Sequence, residues 1–315
     1  MQDVIIIGGG PAGLSAALML GRAHREVLLV DSDEGRNAPA EAVHNFLTRD
    51  GTPPERVRAL AREQLAAYPA VRFLDGVVTG VRRLPEGGFE LGDDGGGVVA
   101  TGRRLLLATG LADRLPAITG LEPLWGRSAF HCPYCHGYEV TGRRVAVIGA
   151  GPDRVRLALQ LSRFTPDVVL CTGGLPLDGP GRDLLAAADV PVRCEPIARL
   201  EGEGGRLGHI VFEGARPLAR DALFVRTTPR QRSDLAGKLG CRTFPDATVE
   251  IDEFGRTSEE GVYAAGDMAR RATLPMPLAA VIAAAAGGTV AGGMIDQDLL
   301  SEDFALPRPF PAGAA

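Results

Sequence analysis

Aromatic side chains are scarce. Phe, Tyr and Trp make up 5% of the 315 residues, with a single Trp, so Ala, Val and Leu must fill the core in place of rings. An excess of positive charge is also missing. Lys and Arg number 34 against 39 Asp and Glu, a net charge of −5, which argues against a general nucleic-acid binder. No basic region precedes the first apolar run: Asp3 stands ahead of Val4–Leu20, and Gly8-Gly9-Gly10-Pro11 interrupts it, so it does not read as a secretory signal. The second uncharged run, Ala272–Ile295, is long enough to span a bilayer. It opens on Leu274-Pro275-Met276-Pro277 and carries the pairs Gly287-Gly288 and Gly292-Gly293, and it is read as a buried helix, with no membrane partner. Without an export signal the expected compartment is the cytoplasm, where structural disulfides are rare. The five cysteines are therefore expected to be core fillers or a redox or metal pair.

Hydrophobic residues at 45% and charged residues at 23% are ordinary for a globular chain and exclude a mostly disordered one. At roughly 150 residues per domain, the length predicts two domains. Glycine is abundant, at 42 residues, and concentrates where backbone must turn tightly or approach a ligand. Residues 3–8 read as a buried strand, then a Gly-rich turn, a helix from about Gly13 to Arg22 and a second strand at 26–31. Residues 53–67 read as a helix, and 71–107 as short strands ending at Thr109-Gly110. The pattern restarts at 144–149, with a helix to about Phe164 and a strand at 167–171. The tail returns to a strand at Gly261–Ala265, a Gly266-Asp267 turn and the long apolar helix. The expected fold is α/β: two Rossmann-like three-layer dinucleotide-binding domains, the second inserted into the first. Residues 1–115 and 246–315 would form the first domain and residues 116–245 the second.

Gly8, Gly10 and Gly13 follow a strand and open a helix, with Pro11 and Ala12 between the last two. Such glycines permit the turn, the approach of a pyrophosphate and close helix–strand packing, while the helix N-terminus offers free N–H groups. Asp31 closes the next strand and can accept hydrogen bonds from ribose hydroxyls. Val262–Asp267 resembles the late flavoprotein motif, in which the acid, here Asp267, holds the ribityl chain. Leu107-Ala108-Thr109-Gly110 resembles the middle motif of the same families. Taken in order, these motifs imply FAD, held by Gly8, Gly10, Pro11, Ala12, Gly13, Asp31, Thr109, Gly110, Gly266 and Asp267.

The second unit can be laid on the first by counting. Gly149 matches Gly8 and Gly151 matches Gly10, but Arg154 stands at the place of Gly13 and Thr172 at the place of Asp31. No Arg cluster follows Cys171 to take a 2′-phosphate. This half is read as a nucleotide fold without its contact residues.

Between the two lies His131-Cys132-Pro133-Tyr134-Cys135-His136-Gly137-Tyr138-Glu139. A Cys-x-x-Cys beside βαβ patterns reads as a dithiol redox pair. A helix N-terminus or a nearby imidazolium would lower one thiol's pKa and supply the thiolate. Zinc is disfavoured, because six residues cannot wrap four ligands tetrahedrally and no second such pair exists; no metal site is expected. Cys171, Cys194 and Cys241 are isolated and read as fillers.

This order of motifs resembles the low-molecular-weight thioredoxin reductases, members of the FAD-dependent pyridine nucleotide-disulfide oxidoreductases, over nearly the whole chain. The resemblance implies that Cys135 faces the flavin as the charge-transfer thiolate and that Cys132 exchanges with substrate. That family carries Asp directly after the second cysteine; here it is His136. This departure and the altered second glycine motif are more similar to the dithiol oxidases of the holomycin and gliotoxin type. Those have a Cys-Pro-x-Cys-His pair and pass electrons from FAD to oxygen. Arg36–Pro39 and His44–Gly51 are also similar to that branch. The resemblance thus implies oxidation of a small-molecule dithiol with oxygen as acceptor, in a homodimer. His136 is the candidate base, His131 a lesser one, and Glu139 structural. The alternatives are an NADPH- or ferredoxin-linked thioredoxin reductase and a non-enzymatic flavin redox sensor.

Overall fold

A computed structural model describes residues 1–92 and 97–310. The chain forms two compact units. One comprises Met1–Arg36, Glu55–Ala112 and Arg230–Ala315, the other Asn37–Pro54 and Asp113–Pro229. Both are α/β. The expected boundaries at 115 and 246 differ from these in three places, the smallest being residues 113–115, which belong to the second unit. Residues 230–245 belong to the first unit, where Leu235, Ala236, Leu239 and Cys241 pack into its core. Residues 37–54 belong to the second, where Pro39 lies against Gly126.

In the first unit, the strands Val71–Asp75, Val27–Asp31, Gln2–Ile7 and Val98–Leu107 lie side by side in parallel. The last of these is long. Its end at 105–107 also pairs with Val262–Ala264, while its start pairs with the antiparallel strand Phe89–Gly92. Alternation sorts the side chains. Val4, Ile6, Leu29 and Leu106 face the helices Pro11–Arg22 and Val281–Asp303. Ile5, Ile7, Leu105 and Leu107 face the opposite core, as the period of two requires.

The run read as a single apolar helix from 272 divides in the structure. Residues 272–280 are irregular and the helix starts at Val281, after the prolines that cannot continue one. No helix among the described residues is long and apolar enough to cross a membrane. This helix packs on Pro11–Arg22 through glycine. A Cβ on Gly288 would stand 1.9 Å from the Ala12 carbonyl oxygen, and one on Gly292 would stand 3.1 Å from that of Ala16. The two contacts advance by four residues on each helix, so the helices run parallel and both start at the same end of the sheet.

In the second unit, Val192–Arg193, Val168–Cys171, Val145–Ile148, Ala222–Phe224 and Ala129–Phe130 form a parallel sheet. An antiparallel sheet of Ile197–Glu203, Arg206–Phe212 and Leu218–Ala219 accompanies it. Val145, Val147, Val168 and Leu170 face the helices Pro152–Leu161 and Gly179–Ala187. Ala146, Val169 and Leu223 face the small sheet's Leu200, Leu207 and Ile210.

Gly288→Ala should lower stability by about 1–3 kcal/mol, because its methyl meets backbone that cannot retreat alone. Gly287→Ala should be neutral or stabilising, since its Cβ would find only the Gly266 nitrogen at 3.9 Å and alanine favours helix by about 1 kcal/mol. Urea unfolding of the two variants checks this; equal midpoints would overturn the close approach.

Candidate functional site

Strand Gln2–Ile7 ends at Gly8, whose φ of +111° few side chains tolerate and whose Cβ would stand 2.3 Å from the Ala108 carbonyl oxygen. The chain then turns into the helix at Pro11, with Gly10 as N-cap and no side chain capping the free N–H groups. Gly13 is fixed by packing: a Cβ there would stand 1.9 Å from the Gly8 carbonyl oxygen. Gly10 is different. Nothing lies within 4 Å of where its Cβ would be, which leaves open space directly before a helix N-terminus. Ala12 is buried against the long helix.

Asp31 closes its strand almost buried, at 8% exposure. One carboxylate oxygen accepts the Gly9 N–H at 2.9 Å and the other accepts Arg62 at 3.1 Å. A carboxylate accepts about four hydrogen bonds, so both oxygens keep capacity for ribose hydroxyls. Arg62 escaped the sequence reading. It lies on the helix Pro54–Leu65, and nothing local in the sequence ties it to Asp31.

Thr109 and Gly110 follow the long strand; Gly110 has φ +68° and open space beside it. Gly266, at φ +82°, lies against Ala12, where its Cβ would be 3.1 Å from the Ala12 Cβ. Asp267 accepts Arg36 at 2.8 Å. The helix from Val281 begins without a side-chain cap or an acid in its first turn. The open cradle at Gly10, the anchored Asp31 and two uncapped parallel helix N-termini suit a dinucleotide with a negatively charged pyrophosphate. These residues therefore fit FAD.

The corresponding turn in the second unit is filled. Gly149 has the same backbone, φ +122°, but the Arg154 side chain lies over it, its Cγ 2.9 Å from where a Cβ would stand. Arg154 donates to Asp153 at 3.0 Å, and its Nη1 is buried with no partner. Asp153 sits in the first turn of the helix Pro152–Leu161, so a carboxylate already occupies the pole that an anionic ligand would need. By the same count Asp153 matches Ala12; that signal was readable in the sequence and was missed. Thr172 is buried, and its hydroxyl has no hydrogen-bond partner. It offers a ribose nothing.

Cys132 and Cys135 are joined as a disulfide across a Cα–Cα distance of 5.3 Å. Cys132 is the N-cap of the short helix Pro133–His136, and its sulfur accepts the Cys135 N–H at 3.1 Å. The segment at 37–54 reaches this turn: Asn45 Nδ2 donates to the Tyr134 carbonyl at 2.6 Å. His44 lies between two carboxylates, 3.3 Å from Glu139 and 3.6 Å from Asp50. Glu139 thus takes a partner that spacing alone did not reveal. His131 stacks on Trp125 at 5.5 Å.

His136 departs from its expected role. Its ring stacks on Phe130 at 4.3 Å, and both ring nitrogens are buried without a partner. Burial, and then the neighbouring His131 and His44, push its pKa down to about 4. An imidazole so placed is neutral at pH 7 and a weak proton acceptor. In the disulfide-bonded protein the ring packs on Phe130, and no described residue orients it as a base. Cys171 is buried as expected and its thiol is pushed up to about 12 by that burial; Cys241 is buried too, whereas Cys194 is exposed.

The sequence profile of the family described as Pyridine nucleotide-disulphide oxidoreductase matches residues 2–287. Thioredoxin reductase tcpT of Claviceps purpurea is 34% identical, over 98% of this chain and 98% of its own. Among solved structures, HlmI is 38% identical with a TM-score of 0.88, covering 96% of this chain and 94% of its own. The oxidoreductase from Agrobacterium tumefaciens is also 38% identical, with a TM-score of 0.85 over 95% and 98% of the two chains.

Two measurements follow from this geometry. Gly10→Val should fold, as judged by far-ultraviolet circular dichroism, yet purify almost colourless, because the side chain fills the open cradle. Full flavin content would remove the assignment. The second concerns His136. With its folded pKa about 4 against 6.5 in the unfolded chain, its contribution is intact above pH 6.5 and is lost as pH falls toward 4. There only the unfolded state gains the proton. At pH 5 that loss is about 2 kcal/mol. His136→Phe, which keeps the stack, should retain that much more of its pH 8 stability at pH 5. Parallel urea midpoints across the pH range would show otherwise if burial of the imidazole were misassigned.

Proposed function

Since the chain belongs to the pyridine nucleotide-disulphide oxidoreductase family and is an FAD-dependent disulfide oxidoreductase of thioredoxin reductase-like type, we propose that it oxidises a small-molecule dithiol and delivers the electrons to oxygen. The observation that carries this reading is the filled second turn. Arg154 covers Gly149, Asp153 occupies the helix pole and Thr172 is sealed in. A pyridine nucleotide would have to displace a side chain and place its phosphates beside a carboxylate. The residues present do not fit it. Electrons would then enter through the disulfide, from a dithiol.

The protein's part is thiol–disulfide exchange. A substrate thiolate attacks the Cys132 sulfur, the Cys132–Cys135 bond breaks, and Cys135 leaves as thiolate. The second substrate thiolate attacks its own sulfur in the mixed disulfide and releases Cys132 as thiolate. The substrate leaves as a disulfide, having given up two electrons and two protons. When bound, FAD would supply a two-electron acceptor for the reduced cysteine pair and an outlet to dioxygen, which with two protons would give hydrogen peroxide. Gly8, Gly10, Pro11, Ala12, Gly13, Asp31, Thr109, Gly110, Gly266 and Asp267 would hold it. With His136 buried, no base is assigned. An ordinary thiol of pKa about 8.5 is itself a few per cent thiolate at pH 7.

One feature favours a second reading, an NADPH-linked thioredoxin reductase: Arg154 Nη1 is buried without an acceptor, and a phosphate could supply one. Anaerobic stopped-flow absorbance at the flavin band separates the two. Micromolar NADPH or NADH should leave the band nearly unchanged, whereas dithiothreitol should bleach it and air should restore it. Fast, saturable bleaching by NADPH would replace the first reading with the second.

A further inference from the structure

Within the second unit, a cleft of about 620 Å³ opens between the helices Pro152–Leu161 and Gly179–Ala187. That volume suits a small molecule. The cleft begins at the redox turn, because Tyr134, the residue before Cys135, forms part of its wall and is 75% exposed. Its sides are apolar, with Leu159 on one helix and Leu184, 56% exposed, on the other. Residues 152, 155, 156, 159, 160 and 163 line it at helical spacing, so one stripe of a single helix faces the opening.

The polar groups on that stripe are donors with few acceptors. Among the described residues Arg156 makes no ion pair or hydrogen bond. Arg163 donates only to the Gln160 carbonyl, at 3.4 Å, and lies 6.0 Å from the Phe164 ring centroid. The Gln160 side-chain nitrogen is buried with no partner. The acid on the facing wall, Asp178, is already committed as N-cap to the Gly181 N–H at 2.7 Å. Two guanidinium groups and an orphan amide beside an apolar floor call for an apolar body that carries an anion.

We propose that this cleft seats the non-reacting part of the dithiol substrate, and that this part is a ring-sized apolar group bearing a carboxylate. The proposal rests on the reading of the protein as a small-dithiol oxidase. Tyr134 stands between the two cysteines in the redox turn, so a ring stacked on it would lie beside that turn. Arg156 and Arg163 take the carboxylate and Gln160 donates to it.

Three dithiols test this by their rates of thiol loss: dithiothreitol, 1,2-benzenedimethanethiol and 3,4-bis(sulfanylmethyl)benzoate. In the native protein kcat/KM should rise about tenfold from the first to the second, for the ring. It should rise about tenfold again to the third, for the carboxylate. Arg156→Ala should erase the second step and Leu184→Asp the first. Both positions are exposed, and far-ultraviolet circular dichroism confirms folding. Equal rates for all three dithiols, or preferences unchanged in the variants, would overturn the proposal. So would variants that impair only a thioredoxin-sized protein dithiol, since the cleft would then be a protein docking face. If none of the dithiols is oxidised, the functional reading itself fails. The cleft is then judged by calorimetric titration of the unreactive 3,4-bis(methylsulfanylmethyl)benzoate. A Kd raised about tenfold in Arg156→Ala supports the cleft, and no binding to the native protein refutes it.

Discussion

The first unit depends on backbone touching backbone between two parallel helices. With no side chain at Gly288 or Gly292, the helix from Val281 lies directly on the carbonyls of Ala12 and Ala16. Larger residues would hold the axes apart and move one helix N-terminus away from the other. Because the helices are parallel and in contact, their uncapped N–H groups point to one end of the sheet. Gly10 leaves its open space at that end, and Asp31 closes its strand there. The apolar, weakly amphipathic composition of the last helix follows from the same contact. Alanine and glycine bury little area each, but they allow the approach that aligns the poles.

The second unit shows the same scaffold put to different use. Strand, glycine turn and helix repeat with matching backbone, down to the positive φ at Gly149 and Gly8. Three of the side chains that differ matter for a nucleotide. Arg154 packs where Gly13 would leave room, Asp153 neutralises the pole that Ala12 leaves free, and Thr172 replaces the acid. Arg154 and Asp153 pair with one another at 3.0 Å. A turn that holds its own ion pair has less reason to hold a phosphate. The architecture alone therefore says little about which ligands a given domain keeps.

Much of this was legible in the sequence, for reasons that are local. Glycine turns, strand runs and the Cys-x-x-Cys spacing are fixed by neighbouring residues, and the elements fall within a few residues of where they were read. Long-range partners were not legible. Arg62 reaches Asp31 from a helix some thirty residues away, and Arg36 reaches Asp267 across most of the chain. Arg36–Pro39 and His44–Gly51 resembled a known branch, yet nothing in them announced that Asn45 would hold the carbonyl of Tyr134. His136 was read as a base because its neighbour in sequence, Cys135, suggested chemistry; its neighbour in space is Phe130, on which the ring stacks.

On the proposed roles of the cysteines, the one hydrogen bond at the disulfide has a directional effect. The Cys135 N–H points at the sulfur of Cys132, the atom attacked in the first exchange and expelled in the second. A donor there does little for the first step, in which Cys135 carries the departing charge. It favours the second step, in which Cys132 departs, because a better-stabilised thiolate leaves faster. A mixed disulfide is the intermediate most exposed to the wrong thiol. Shortening its life favours completion of the substrate's own ring over capture by a competitor. A vicinal dithiol, whose second sulfur is always at hand, gains most from this, and a monothiol gains nothing until another molecule arrives. On these proposed roles, a preference for dithiols would be built into the backbone of the turn, before any contact in the proposed cleft beside Tyr134.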